Sequence, residues 1–101
     1  MTIADADEDA VGPVLQPGEV ARAIIDAMRV SNPSLTVVDR GGYLRVLARG
    51  RATLMRAEVE RRVRAPFRLP ADLEQVMPSF RGRLTIDEES ATWERKGGGR
   101  R

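Results

Sequence analysis

The chain has 101 residues, of which 42% are hydrophobic, and this is enough for one domain with its own core. It contains no cysteine and no histidine, which excludes the usual zinc, haem, iron–sulfur and thiol redox sites and leaves only carboxylates, tyrosine or lysine for acid–base catalysis. We therefore expect a protein that is not an enzyme and has no cofactor. The formal net charge is +2, and no stretch has the apolar length of a membrane-spanning helix, so we expect the protein to be cytoplasmic.

Two charged tails are predicted to flank one folded domain. Residues 1–10 are acidic and poor in large apolar side chains, so we expect this tail to be disordered, and its charge does not fit a signal peptide. Residues 96–101 combine glycines with basic residues, which is typical of a flexible basic tail. The single domain therefore covers residues 11–95.

The first half of the domain predicts a strand, a helix and a turn. Residues 11–15 are predicted to form a short strand. Because of Pro13, this strand is expected either to lie at a sheet edge or to have the proline at its beginning. Apolar residues spaced three and four apart predict a helix over residues 19–28. In the polar connection at residues 29–34, Asn32 precedes a proline and is expected to hold a defined turn.

A β-hairpin is the most regular pattern in the chain. Its first arm covers residues 35–38, a glycine-rich turn follows, and the second arm runs over residues 43–55 with alternate positions apolar. The intervening positions are rich in arginine, so one face is expected to pack and the other to meet water or a partner. Gly50, in the middle of the long arm, is the expected bend or bulge.

A helix predicted over residues 56–64 carries two intrahelical ion pairs. Glu58 precedes Arg62 and Glu60 precedes Arg64 by four residues, which is the order that stabilises a helix. A proline-containing segment then ends the helix.

The rest of the domain adds a short helix and two strands. The helix covers residues 69–77, the next strand covers residues 80–86 with Gly82 weakening its start, and the last strand covers residues 91–94 with Trp93 as its one large anchor. The order is β-α-β-β-α-α-β-β, an α+β fold in which helices pack on a mostly antiparallel sheet.

Residues 40–68 contain nine arginines against two glutamates. This excess indicates either an anionic partner or a surface whose arginines are solvated or paired, and both interpretations stay open. A small basic nucleic-acid-binding module is the alternative function, because Arg45, Arg49 and Arg51 beside Tyr43 can hold a phosphate backbone and stack a base. A single aromatic residue and the lack of an RNP-type pattern weigh against it.

Several short motifs of the folded part occur together, in this order, in one known family. They are Val11-Gly12-Pro13, Asn32-Pro33, Val38-Asp39-Arg40 followed by Tyr43, Arg45 and Gly50, then Ala65-Pro66-Phe67, and finally Ser79-Phe80 with Gly82. By this set, the chain resembles the effector proteins, also called coupling or regulatory proteins, of bacterial multicomponent di-iron monooxygenases. It is most like those of the toluene, alkene and phenol oxidising systems.

The resemblance implies a non-catalytic protein that binds a larger partner. The partner is the di-iron hydroxylase component, bound near its active-site entrance, and the effect is to modulate oxygen activation, turnover, coupling and regioselectivity. The resemblance also implies a chain that holds no metal or cofactor, binds no membrane and is a monomer when free.

The resemblance further implies where the hydroxylase binds. Ser79 and Phe80 lie in the loop before the family's fourth strand, which faces the hydroxylase, although core packing is an equally open role for Phe80. Asn32 and Pro33 follow the first helix and are implied as a second contact. With their neighbours and one strand arginine, the predicted partner-binding set is Ser31, Asn32, Pro33, Arg45, Pro78, Ser79, Phe80 and Arg81.

Overall fold

The structure, a computed structural model, describes residues 9–96 of the chain. The tails predicted to be disordered or flexible therefore fall, over residues 1–8 and 97–101, outside the described residues. Asp9 forms a turn and Ala10 begins the first strand, one residue before the predicted start of that strand.

Helices and strands follow the predicted order, and the α+β fold class is confirmed. The elements are β1 (Ala10–Leu15), α1 (Glu19–Ser31), β2 (Thr36–Asp39), β3 (Leu44–Arg49), β4 (Arg51–Met55), α2 (Arg56–Val63), α3 (Ala71–Glu74), β5 (Ser79–Arg81), β6 (Arg83–Ile86) and β7 (Ser90–Glu94). Each of the two longer predicted strands is divided at a glycine, Gly50 or Gly82, so that one strand of the prediction becomes two.

The strands form two antiparallel sheets instead of one. The first sheet has the order β2-β3-β1-β5 and the second has the order β4-β7-β6. β1 is thus an interior strand with Pro13 as its fourth residue, so the prediction that Pro13 lies in an edge strand or at the beginning of a strand is wrong. The pairing of β1 with β3 skips Gly12 and Pro13, so the N–H that proline lacks falls where this ladder is interrupted.

The core joins both sheets to the helices. Buried apolar residues from β1, β3, β4 and β7 form one cluster with residues of α1, α2 and the segment around α3. Trp93 is fully buried, which confirms it as the anchor of the last strand. Its indole N–H has no hydrogen-bond partner among residues 9–96, so this side chain stabilises the fold through the area that it buries.

Two glycines allow backbones to approach more closely than a side chain would permit. A Cβ built on Gly12 would overlap the carbonyl oxygen of Val46, and one on Gly82 would lie 2.6 Å from the carbonyl oxygen of Glu94. Both residues also have a positive φ, +145° and +101° respectively, which only glycine adopts readily. Gly12 brings β1 against β3 and Gly82 carries the chain from β5 to β6, so the two contacts fix the position of β5.

One of the two predicted helix ion pairs is confirmed and the other is wrong. Arg62 donates to Glu58 at 2.8 Å, as expected. Glu60 pairs instead with Arg56 at 2.9 Å and accepts the backbone N–H of Phe67, also at 2.9 Å. Arg64 lies beyond the end of α2 in the left-handed conformation, which turns it out of the helical register that the prediction assumed.

We expect Gly12→Ala to lower the free energy of unfolding by about 3 kcal/mol or more, because the added Cβ must displace the β3 backbone and adopt an unfavourable φ. Gly42→Ala is the matched control, since a Cβ there meets no atom within 4 Å and is expected to change stability by less than about 0.5 kcal/mol. Urea unfolding of both variants measures the difference, and equal values would show that the close approach at Gly12 does not constrain the fold.

Stability is also expected to depend on the ionisation of Glu60. The hydrogen bond from the N–H of Phe67, reinforced by Arg56, lowers the pKa of Glu60 below its ordinary value of 4.5. The contribution of this carboxylate to stability is therefore complete above that value and is lost as the pH falls through the lowered pKa. Glu60→Gln should make the acid loss of stability shallower, as measured by urea unfolding at a series of pH values; an unchanged slope would contradict this assignment.

Candidate protein-docking surface

The outward face of the first sheet brings together residues that are far apart in the sequence. Val14 of β1 lies opposite Arg45 of β3 on one side and opposite Ser79 of β5 on the other. Directly opposed residues of antiparallel strands point to the same face of a sheet. Arg45 and Ser79, both predicted to bind a partner, therefore share one face.

Phe80 is a large apolar side chain that the fold leaves exposed. Its exposed fraction is 41%, and its neighbours Pro78 and Ser79 are exposed as well. β5, which carries Phe80, is an edge strand of the first sheet. The alternative that Phe80 packs in the core is wrong. Its strand is short and lies at the sheet edge, and this position leaves the side chain partly uncovered.

Two hollows adjoin this segment, and Pro78 and Ser79 line both of them. The smaller hollow, of about 370 Å³, is also lined by Tyr43 and Arg45. The larger, of about 590 Å³, extends over Phe80 and Arg81 to the end of the described chain. Among the described residues, the lining of both hollows includes no carboxylate. We call this region the Phe80 surface, defined by Arg45, Pro78, Ser79, Phe80, Arg81, Arg95 and Lys96.

Arg95 and Lys96 belong to this surface although the sequence did not place them there. They follow β7, whose pairing with β4 and β6 brings its end beside Gly82 and the larger hollow. The only signal in the sequence is their positive charge, which predicts no more than the end of the domain and a basic tail. Their position depends on strand pairing over a long sequence separation.

An acidic residue borders the Phe80 surface. Arg95 donates to the carboxylate of Asp9 at 2.6 Å, and Arg49 lies 3.7 Å from the same carboxylate. The hydrogen bond from Arg95 and its charge lower the pKa of Asp9, so this side chain is ionised at neutral pH. The backbone of Gly50 joins the same junction, since its N–H donates to the backbone carbonyl of Asp9 and its carbonyl accepts the backbone N–H of Arg95.

The remaining predicted residues line a different groove. Ser31, Asn32 and Pro33 lie beside β3 and β4 in a groove of about 560 Å³, which also includes Arg49 and Arg51. The structure therefore divides the predicted partner-binding set into two groups, one on the Phe80 surface and one in this groove.

Asn32 is buried, with an exposed fraction of 9%, and its side-chain amide is used inside the fold. The amide nitrogen donates to the carbonyl of Met28 at 2.6 Å and to that of Thr53 at 2.8 Å. The amide oxygen accepts the backbone N–H of Thr53 at 3.1 Å. Asn32 thus ends α1, as the predicted turn required, and also pairs with the outer edge of β4 as a neighbouring strand would.

The arginine-rich face of the predicted long strand is not continuous. Because the strand divides at Gly50, Arg45 and Arg49 belong to the first sheet and Arg51 to the second. Arg49 lies near Asp9, and Arg51 lies 3.9 Å from Glu94. Arginines of α2 are paired as well. The interpretation that many arginines of this region are paired is confirmed, and a continuous track for a nucleic-acid backbone is not formed.

Neither a metal cluster nor a membrane span is found within residues 9–96. No group of three or more acidic, histidine or cysteine side chains in this range is arranged to hold a metal ion. The helices of this range are too short or too polar to cross a bilayer.

Comparisons with known proteins identify similar chains. The profile of the MmoB/DmpM family matches residues 9–94. The chain is 37% identical to the effector subunit of the alkene monooxygenase system of Xanthobacter autotrophicus strain Py2, over 91% of this chain and 92% of that protein.

Solved structures give a similar fold at lower identity. Chains in two structures of the phenol hydroxylase–regulatory protein complex match with TM-scores of 0.76 and 0.72 and identities of 19% and 20%; each match covers 84% of this chain, and 97% and 98% of the other. Regulatory protein B of soluble methane monooxygenase matches with a TM-score of 0.70 and 22% identity, over 92% of this chain and 70% of that one.

Asn32→Ala is expected to lower the free energy of unfolding by about 2–3 kcal/mol, because it leaves the backbone groups of Thr53 and the carbonyl of Met28 without this partner. Ser31→Ala, at the exposed neighbouring position, should change stability by less than about 0.5 kcal/mol. Urea unfolding compares the two variants. A loss at Asn32 no larger than at Ser31 would show that the amide does not clamp α1 to β4.

Proposed function

Because the chain belongs to the MmoB/DmpM family, we propose that it is a non-catalytic effector subunit of a multicomponent monooxygenase and acts in the cytoplasm. It binds the di-iron hydroxylase component near the active-site entrance and modulates oxygen activation, turnover, coupling and regioselectivity. The observation that carries this proposal is the identity to an alkene monooxygenase effector subunit over nearly the whole chain.

The Phe80 surface has the composition of a protein-docking site. Interfaces place an aromatic anchor at the centre of a patch and polar or charged groups around it, and arginine is enriched at such sites. Phe80 is the exposed aromatic side chain here, opposite Pro13 of β1, with Ser79 and Arg81 as its neighbours in the chain. Arg45 lies on the other face of the same sheet, opposite Val14. These features support hydroxylase binding by this surface.

The charge of the surface indicates the chemistry of its partner. With basic side chains and no carboxylate lining the two hollows among the described residues, the Phe80 surface is complementary to an acidic patch. The attraction is expected to raise the association rate and to weaken with salt, because exposed charges are screened over about 8 Å at physiological ionic strength.

An effector without catalytic groups can act only through its binding energy. If the hydroxylase exists in two conformers, an effector that binds one of them more tightly shifts the population toward it, and a shift by a factor of ten requires about 1.4 kcal/mol of differential affinity. A rigid sheet edge that presents Phe80 is suited to this role, because little ordering entropy is lost on docking.

Asn32 does not contribute a free side chain to this interface, since its amide is bonded within the fold. We propose that it acts on function through the position of Pro33 and Ser31, which line the groove at the end of α1. The nucleic-acid alternative is not retained, because no observation of the structure favours it.

Phe80→Ala is expected to weaken the binding of the hydroxylase roughly tenfold or more, because it removes the aromatic anchor of the interface. Met55→Ala is the matched control, since Met55 has a similar exposed fraction, 37%, but lies in the second sheet. The two variants are titrated into a reaction containing the hydroxylase and its electron-transfer components, and turnover, coupling and products are measured.

Thermal unfolding of each variant accompanies these titrations, so that lost binding is separated from lost folding. If Phe80→Ala stimulates the hydroxylase with the affinity of the unmodified protein, the Phe80 surface is not the docking site. If the unmodified protein itself leaves rate, yield and product pattern unchanged, the effector function is wrong.

A further inference from the structure

Arg95 lies on the Phe80 surface and is held there from the side of the Gly50 junction. It lines the larger hollow together with Phe80 and Arg81. Its Nη1 atom donates to Oδ1 of Asp9 at 2.6 Å, and its backbone N–H donates to the carbonyl of Gly50 at 3.1 Å. The junction therefore sets both the position of this residue in the chain and the direction of its side chain.

The guanidinium of Arg95 keeps donors for a second acceptor. An arginine side chain has five N–H donors in a planar fork, and the bond to Asp9 is made by Nη1 alone. Within residues 9–96 the side chain of Arg95 makes no other hydrogen bond, and 47% of it is exposed. Arg95 can thus be anchored by Asp9 and donate to a carboxylate of another molecule at the same time.

Anchoring matters because a long side chain loses rotamer freedom when it is ordered in an interface. Arginine carries a large part of this cost, and a contact that orders it before binding removes the cost from the binding step. The carboxylate of Asp9 is not needed to join the strands at this point, since the backbone bonds of Gly50 to Asp9 and to Arg95 do so without it.

We propose that Asp9 is a positioning residue of the docking surface: it holds the guanidinium of Arg95 at the rim of the larger hollow, oriented to bind a carboxylate of the hydroxylase. The partner in this inference rests on the proposed function, whereas the anchoring of Arg95 does not. Asp9 acts through Arg95 and need not touch the hydroxylase. An acidic residue thus strengthens docking onto an acidic patch, which is the opposite of what its charge alone predicts.

The test compares Asp9→Ala with Glu94→Ala, because each variant removes one carboxylate near Arg95 and changes the net charge equally. Glu94 is the matched control, since it contacts Arg51, at 3.9 Å, instead of Arg95. Titration into the hydroxylase reaction at low ionic strength gives the affinity of each protein. We expect Asp9→Ala to bind about fivefold more weakly and Glu94→Ala to bind equally well or more tightly.

Two further measurements separate anchoring from a structural role. Asp9→Glu restores a carboxylate within reach of Arg95 and should recover most of the affinity, and thermal unfolding of every variant shows whether the fold is kept. In the isolated protein, heteronuclear NMR relaxation of the Nε–H group of Arg95 should show more motion on the picosecond to nanosecond timescale in Asp9→Ala than in Glu94→Ala.

Affinity of Asp9→Ala equal to or above that of Glu94→Ala would overturn the proposal, because the carboxylate would then act only as a charge. Equal motion of the Arg95 side chain in the two variants would overturn it as well, since Asp9 would not be an anchor. If Arg95 is anchored but the unmodified protein does not bind the hydroxylase, the proposed function is wrong and the docking role of Asp9 is lost with it.

Discussion

The close approach of backbones at two glycines is the constraint on which the rest of the structure depends. Gly12 lets β1 lie directly against the carbonyl of Val46, and Gly82 lets the chain cross from one sheet to the other past Glu94. β5 lies between these two points. The exposure of Phe80 at the sheet edge therefore depends on the absence of a side chain at Gly12 and Gly82, since a Cβ at either glycine would move the strand that carries Phe80.

Asn32 shows how a polar residue of a connecting loop can be structural. The sequence predicts that it holds a turn, and the family resemblance implies that it also contacts the partner. The first role is observed, in the bond to Met28, and a further role is added by the pair of bonds to Thr53 of β4. A side-chain amide has one donor and one acceptor side, so it can pair with a strand edge as a backbone amide does.

Local patterns predicted much of the fold, and the parts that they missed depend on distant residues. The order of elements, the pair between Glu58 and Arg62 and the burial of Trp93 follow from spacing and apolar content, and the family resemblance is confirmed. The division into two sheets and the interior position of β1 depend on strand pairing, which alternation alone does not specify. Glu60 pairs with Arg56 and accepts the N–H of Phe67, and does not pair with Arg64, because α2 ends before Arg64. The position of Arg95 beside Phe80 also depends on strand pairing, so local patterns did not predict it.

The burial of the only tryptophan gives this molecule an intrinsic optical probe of its interior. The chain has one tryptophan and one tyrosine, and the indole of Trp93 is shielded from water inside the second sheet. Intrinsic emission therefore reports on the integrity of the interior. Fluorescence of the isolated protein can thus follow its unfolding, and no extrinsic dye is needed for that purpose.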